Sequence, residues 1–410
     1  MKRRRCCVLL VASVAVGSCA REHEARSIEE SAGASSWQVG SVPSMLIGSE
    51  EAEEYEFSTI AGSGKLPSGQ WYVFDRASNQ LRFYDEHGRF IRRVGRNGEG
   101  PGEFRYVLFA GTTAAGNILI HDALLRRLTA VGSDGRVLNT IRVPDQPEGG
   151  SVLFPIGMLD AHTFVWSSFK TPACIEGATL TDTITYFRVD VGPEASQRGI
   201  RPLELVPIAN VPGGQRWGNA INILKTCLAN PIPFVGVPSA RVYDGSLYVA
   251  SPDRLDVWIL DIATGNEQNV GTATTRRPLT PSLIESYVQR TLGSTARDEM
   301  GRPLTGLPGA QEYEDRLRGM PYPDSLPVTA QLVVDLEGNV WVGSYPVDDS
   351  EPVEWWIFSP GGGEADRVLL PARFRVMEIG EDYIAGVTSD EFDVQRVAAY
   401  DLVRPSREPK

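Results

Sequence analysis

Two carboxylates and one glycine-rich loop are the residues best placed to do chemistry in this chain. Asp75 and Asp122 close two matching apolar runs, Trp71–Asp75 and Ile118–Asp122, at an interval of 47 residues. Carboxylates repeated at a fixed interval can converge and hold a hard cation, calcium or another divalent ion, through oxygen ligands. The same Asp can instead cap its own turn by accepting backbone amides, and the residues alone leave both readings open. The loop Arg96–Glu103 is rich in glycine, but it lacks the Lys-Ser/Thr ending of a phosphate loop and leads into a strand, so that mechanism is excluded. Arg96, Asn97 and Glu99 are still polar groups on a connector. With Arg76, beside Asp75, they form the candidate ligand-binding set. Histidine is scarce (His23, His87, His121 and His162), and no G-x-S-x-G elbow or other nucleophile motif occurs, so no catalytic residue can be named. Trp355 and Trp356 could offer a stacking platform. Neighbours in a strand point to opposite faces, however, so one is expected in the core and the other on a rim.

The elements that must position these groups are short strands. Gln70–Phe104 contains three β-runs, Trp71–Asp75, Gln80–Tyr84 and Arg89–Val94, filled by aromatic and β-branched residues. Ser78-Asn79 and His87-Gly88 mark the turns between them, Gly supplying the positive φ of a tight hairpin. Forty-seven residues on, Gly88-Arg89 recurs as Gly135-Arg136, Leu81 as Leu128, Ile91 as Leu138 and Val94 as Ile141. A fixed period in this range, built of four short antiparallel strands, is the signature of a β-propeller blade. Looser units follow around Asp160–Trp166, Asp244–Val249, Asp335–Val342 and Glu381–Ala385, making six.

The sixth unit runs out near Leu402, one outer strand short, while the apolar run Trp37–Ile47 has no unit of its own. That run is expected to supply the missing strand and close the ring, removing the open sheet edge. Two regions break the period. Residues 210–236 are rich in Pro, Gly and Asn and read as a long loop. Thr280–Gly319 reads as a helical insertion: Thr280-Pro281 is an N-cap followed by Pro at the first helical position, and Leu283, Ile284, Tyr287, Val288 and Leu292 share one face. Glu312–Leu317 reads as a second short helix.

The chain has 410 residues, 42% of them hydrophobic, ample for a large core. Lys2 to Arg5 followed by the apolar run Cys6–Val16, too short to span a bilayer, reads as an export signal over residues 1–18. Val16-Gly17-Ser18-Cys19 resembles the bacterial lipobox, with Val where Leu is commonest. The resemblance implies that Cys19 becomes the acylated N-terminus, anchoring the protein to a membrane by lipid alone. Ala20 in place of Asp favours the outer membrane, facing the periplasm or the cell surface. Residues 19–36 read as a flexible tether and 403–410 as a C-terminal tail, with the propeller over 37–402. Loss of the leader's four positive charges takes the net charge from −12 to −16, which argues against nucleic acid as a partner. In an oxidising compartment the two remaining cysteines, Cys174 and Cys227, are expected to pair; two separate buried thiols are the alternative.

The run YVFDRASNQLRFYDEHGRFIRRVGRNGEGPGEF, together with Tyr322–Pro327 leading into LVVDLEGNVWV, resembles the NHL-like six-bladed propeller repeat of bacterial lipoproteins. The resemblance implies an all-β fold: a six-bladed β-propeller of four-stranded antiparallel blades with a small helical insertion; a monomer is expected. One such scaffold hosts many unrelated functions; the reading adopted is a binding scaffold that presents its loop-rich face to a protein or small-molecule ligand. The alternative it leaves is a hydrolase or lyase, lactonase-like, with a divalent cation in the axial pocket. A three-histidine zinc site, as in the propeller amidating lyases, would need His121, His162 and a third ligand that the chain does not offer.

Overall fold

The computed structural model describes residues 36–49, 52–113, 116–143, 153–159, 163–190, 206–221, 226–294, 310–347, 349–360 and 362–405. The export signal, Cys19 and most of the tether lie outside them. Two short strands open the described chain, β1 (Gln38–Val39) and β2 (Met45–Ile47). Blade one is β3 (Ile60–Lys65), β4 (Trp71–Asp75), β5 (Gln80–Tyr84) and β6 (Phe90–Val94). Blade two is β7 (Val107–Thr112), β8 (Ile118–Asp122), β9 (Arg127–Val131) and β10 (Val137–Arg142). The interval of 47 residues holds for all four strands. It extends to the left-handed turn residues, Asn79 with Arg126 and Gly88 with Gly135.

Blade three is β11 (Leu153–Met158), β12 (Thr163–Lys170), β13 (Thr179–Asp190), β14 (Val206–Ile221) and β15 (Thr226–Pro231). Blade four is β16 (Ser239–Tyr243), β17 (Ser246–Ala250), β18 (Asp256–Asp261) and β19 (Glu267–Gly271). The helices α1 (Pro281–Ser294) and α2 (Ala310–Arg318) follow. Blade five is β20 (Thr329–Val334), β21 (Val340–Ser344), β22 (Val353–Phe358) and β23 (Asp366–Leu370). Blade six is β24 (Phe374–Ile379), β25 (Tyr383–Ser389) and β26 (Gln395–Val403), completed by β1 and β2. Each blade is an antiparallel meander, and the first strand of each blade lies against the first strand of the next, so the six inner strands surround the axis.

The core is not one mass but six apolar clusters, one in each gap between neighbouring blades. This follows from the strand patterns. The second strands WYVFD and ILIHD are buried on both faces, because each blade is sandwiched between two others. Tyr72 and Phe74 pack toward blade two with Phe104, Val107 and Ile118, while Trp71 and Val73 pack toward blade six. Full burial of one such aromatic is worth roughly 1.5–3 kcal/mol. The same sandwich corrects the expectation for Trp355 and Trp356. Both are buried, Trp355 in the gap between blades five and six and Trp356 in the gap between four and five, so neither forms an exposed platform.

Closure follows the sequence reading. Gln38 and Val39 pair with Val403 and Leu402, and Met45, Leu46 and Ile47 pair with Ala399, Ala398 and Val397. A latch reinforces the seam. Trp37 stacks edge-on against Trp341 of blade five at 4.9 Å, donates from Nε1 to Asp366 at 3.0 Å, and lies under the Arg404 guanidinium at 5.1 Å. Arg404 in turn donates to buried Asp335 at 2.9 Å, so it is a working part of the ring rather than of a tail.

The largest departure from the sequence reading is at residues 210–236. Much of this stretch is strand: β14 pairs along β13, and β15 folds back on β14, giving blade three a long fifth-strand ribbon. The prolines of β14 are tolerated because both sit at a shift of register. Pro212 pairs with Thr183, where Gly213 and Gly214 stand opposite the single residue Asp182. Pro207 pairs with Phe187, next to the unpaired Ile208. A bulge is where a strand can carry a residue without an N–H.

Candidate functional site

Tracing the meanders sorts every loop onto one of two faces. The turns between second and third strands and the connectors between blades share one face; the remaining hairpins share the other. The first face carries the loop 95–106, the segment holding α1 and α2, and the turns 345–352 and 390–394. α1 has the predicted cap, with Thr280 Oγ1 accepting from the Leu283 amide at 3.4 Å. Its apolar stripe faces inward: Val288 is fully buried, and Tyr287 meets Phe234 edge-on at 5.4 Å. Across the helix, Arg290 pairs with Asp349 of the 345–352 turn at 2.9 Å, and Arg277 donates to the Tyr345 carbonyl at 2.5 Å.

These contacts bring Arg290 of α1 to the edge of a cavity of about 700 Å³ between blades five and six. Its floor is Gln331 of β20 with Phe374 and Arg375 of β24. Ser344, Ser389 and Gln395 line its sides. Gln331 is fixed by donating to the Val376 carbonyl at 2.5 Å and accepting from the Val376 amide at 3.3 Å, a bridge between two blades. Gln395 is fixed by accepting the Ile60 amide at 2.7 Å. The cavity therefore has an apolar wall of Val353, Trp355, Phe374 and Val387 and a charged rim in which Arg290, Arg373 and Arg375 face Asp349, Glu391 and Asp393, and its volume is in the size range of small-molecule sites.

The residues singled out in the sequence fall elsewhere on this face. Asp75 is buried and accepts from the Thr59 amide at 3.2 Å and from the Ser78 amide and hydroxyl at 3.2 and 2.6 Å. Asp122 is buried and accepts from the amides of Arg105, Tyr106 and Leu125 at 2.7, 3.3 and 2.9 Å. Each carboxylate thus staples the segment entering an inner strand to the end of the second strand. Among the described residues, no group of three or more His, Cys, Asp and Glu is placed to hold a metal ion. In the connector, Arg96 pairs with Glu103 at 2.6 Å and Glu99 with Arg105 at 3.0 Å, while Asn97 bridges Phe104. None of them lines the cavity. Cys174 is not a free thiol, and the Cys227 side chain lies outside the described residues, as do His23 and His162.

His121 is a core residue of blade two, edge-on to Trp166 at 5.2 Å. Burial drives its pKa down from 6.5 to about 4, against a smaller opposing pull from Asp122. Between those values the unfolded chain binds a proton that the folded chain does not. Stability is therefore full above the ordinary histidine pKa and falls as the pH drops toward the folded value. A loss on the order of 3 kcal/mol is expected across that window. In urea titrations His121→Phe should flatten this acid limb; equal acid loss in variant and wild type would assign it to other groups.

Sequence reasoning missed two inner-strand arginines, Arg241 of β16 and Arg375 of β24. Arg241 Nη1 donates to the Ala240 carbonyl at 2.8 Å, and Arg375 Nη2 reaches the Ile60 carbonyl in blade one at 3.1 Å. The signal was present in the alternation Ala240-Arg241-Val242 and Phe374-Arg375-Val376. A period of two puts the charge on the side away from the blade-gap core, toward the axis. At the opposite face, Glu378 accepts from the Tyr383 hydroxyl and from the Lys65 amide at 3.1 Å. Burial pushes the Glu378 carboxyl above its ordinary range despite both donors.

A family model described as a 6-bladed beta-propeller matches residues 56–163, which is blades one and two and the start of blade three. No curated protein matches the chain. Among solved structures, a member of the DUF4221 family from Bacteroides vulgatus is similar with a TM-score of 0.53 at 8% identity, over 90% of this chain and 99% of that one. A Bacteroides fragilis protein assigned as exported gives 0.42 at 10% identity, over 92% and 97%. Virginiamycin B lyase from Staphylococcus aureus gives 0.40 at 7%, over 90% and 99%. At these identities the first likeness speaks for the fold alone, and the two lower scores support no functional argument.

Proposed function

We propose that this chain is an exported, lipid-anchored binding protein whose propeller holds a small ligand in the cavity between blades five and six. The observation that carries the reading is the cavity itself: about 700 Å³, edged by Arg290 of the helical insertion and lined by Gln331 and Gln395, each fixed by hydrogen bonds to a neighbouring blade. The cation-dependent hydrolase or lyase reading has less behind it, because Asp75 and Asp122 are taken up by backbone amides. Topology also gives the cavity a direction. β1 pairs with the last residues of β26, at the face opposite α1, so the chain leaves the ring toward its anchor on the far side from the cavity. The ligand face is turned away from the membrane in this reading.

Protein extracted from its own membrane with mild detergent is expected to carry a small molecule in native mass spectrometry. Ala330→Trp, at an exposed bulge residue lining the cavity, should release it while leaving the fold intact. Wild-type protein that emerges empty, or a variant that retains the same molecule, contradicts the reading. Peptide mapping of the same preparation tests its covalent features. It should find acylated Cys19 as the N-terminal residue and a Cys174–Cys227 cross-link, and Cys19→Ser should leave the membrane fraction. An unmodified Cys19, or two alkylatable thiols, would refute the corresponding feature.

A further inference from the structure

Among the described residues, three arginines around the axis of this propeller have no paired carboxylate. Arg241 and Arg375 come from the inner strands of blades four and six, which flank the inner strand of blade five and its Gln331. Arg76 follows the second strand of blade one on the α1 face and rests over the Tyr106 ring at 5.5 Å. Among the described residues, none of these three arginines has a carboxylate within 4 Å, although most of the other described arginines do. Each guanidinium has five N–H groups. Arg241 and Arg375 each use one on a backbone carbonyl, and Arg76 uses none on a protein acceptor. Arg375 is exposed and Arg76 and Arg241 are half-buried, and neither of the latter two has a buried side-chain nitrogen without a partner. Arg375 also lines the cavity, which links the axial charge to the proposed ligand site.

The three charges also sense one another. Burial and then the charge of Arg375 hold Arg241 below the ordinary guanidinium range; burial and then Arg76 do the same to Arg375. Arg375 is exposed by surface area. Arginine cannot relieve such repulsion by losing its proton. An oxyanion can relieve it, because the planar fork matches carboxylate and phosphate oxygens two at a time.

We infer that the cluster Arg76, Arg241 and Arg375 is an oxyanion site, and that the ligand is a small organic anion whose carboxylate or phosphate sits on the axis while its body occupies the neighbouring cavity. The position of the body rests on the function proposed above; the anion site rests on the arginines alone.

The test uses the full-length protein in a nonionic detergent, with inorganic phosphate and succinate as probes and potassium chloride at equal ionic strength as reference. Millimolar affinity for one probe should raise the melting midpoint by about 2 °C or more at saturating concentration. Tighter succinate would assign a carboxylate ligand, tighter phosphate a phosphate ligand. Arg241→Gln and Arg375→Gln should each weaken binding at least tenfold. Arg375→Lys, which keeps the charge and loses the fork, should fall between. Arg93→Gln, paired with Glu53 on the outside of blade one, should match wild type. Without added anion, both glutamine variants should melt no lower than wild type, since each removes an unbalanced charge. If either fails to fold, Arg76→Gln on the rim provides the same comparison. Absence of any shift beyond chloride, or a shift retained in the Arg241→Gln/Arg375→Gln double variant, would overturn the site. A ligand still found in the cavity of native protein would then leave the binding function standing. Anion affinity in a protein whose native cavity is empty would do the reverse.

Discussion

Removal of residues 37–47 is expected to unfold the whole ring rather than one blade. The segment supplies the outer strand of blade six, and its loss bares the edge of β26 over Val397–Val403. It also strips Ile47, which is wholly buried between blades six and one, and Trp37, which fills the gap between five and six. Trp37→Ala alone should cost about 3–5 kcal/mol as a buried aromatic truncation. The deletion adds an open sheet edge, so aggregation should accompany the loss of stability. Because each blade depends on both neighbours, melting followed by tryptophan fluorescence and by far-ultraviolet circular dichroism should collapse together. Deleting residues 20–34, which the sequence reads as tether, should leave the midpoint unchanged. Two separate transitions in the 37–47 deletion, or an unaltered midpoint, would show that the ring does not depend on its seam.

Asp335→Ala should be the most damaging single change outside that segment. Asp335 is almost wholly buried and is the acceptor for five groups. It takes the amides of Glu337 and Asn339 at 2.9 Å each, the Asn339 side chain at 2.9 Å, the Trp341 indole at 3.1 Å and Arg404 at 2.9 Å. Truncation leaves a guanidinium, an indole N–H and an amide without their acceptor where water is excluded. Removing one partner of a buried charge pair costs about 3–5 kcal/mol. Asp335→Asn keeps the shape but exchanges an accepting oxygen for a donor, and should recover only part of the loss. Since Arg404 also covers Trp37, the effects of Asp335→Ala and Trp37→Ala should combine to less than their sum. Full additivity in a double-mutant cycle would mean that the latch is two independent contacts.

Much of this architecture is written locally. Blades one and two are legible because aromatic and β-branched runs, turn glycines and the terminal Asp recur at one interval, and the structure keeps that interval from Ile60 and Val107 through Gly88 and Gly135. The closing role of Trp37–Ile47 could be reached by elimination, and α1 by its cap and apolar stripe. The ribbon β14–β15 was not legible, because Pro207, Pro212, Gly213 and Gly214 are loop residues unless a partner strand absorbs them at bulges. Register with β13 is a tertiary fact that no local pattern carries. The candidate site was hidden for a related reason. Asp75 and Asp122 were conspicuous by repetition, yet repetition marked a structural staple. Gln331, Arg241 and Arg375 repeat nothing; only ring closure brings blades four, five and six together around them.

Whether the cavity on the α1 face is a ligand site decides the proposed function. The most direct measurement is an experimental density map of the protein purified from its native source without added ligand. The account predicts non-protein density between blades five and six, in contact with Gln331 and Arg375. A well-ordered cavity containing only water would contradict it.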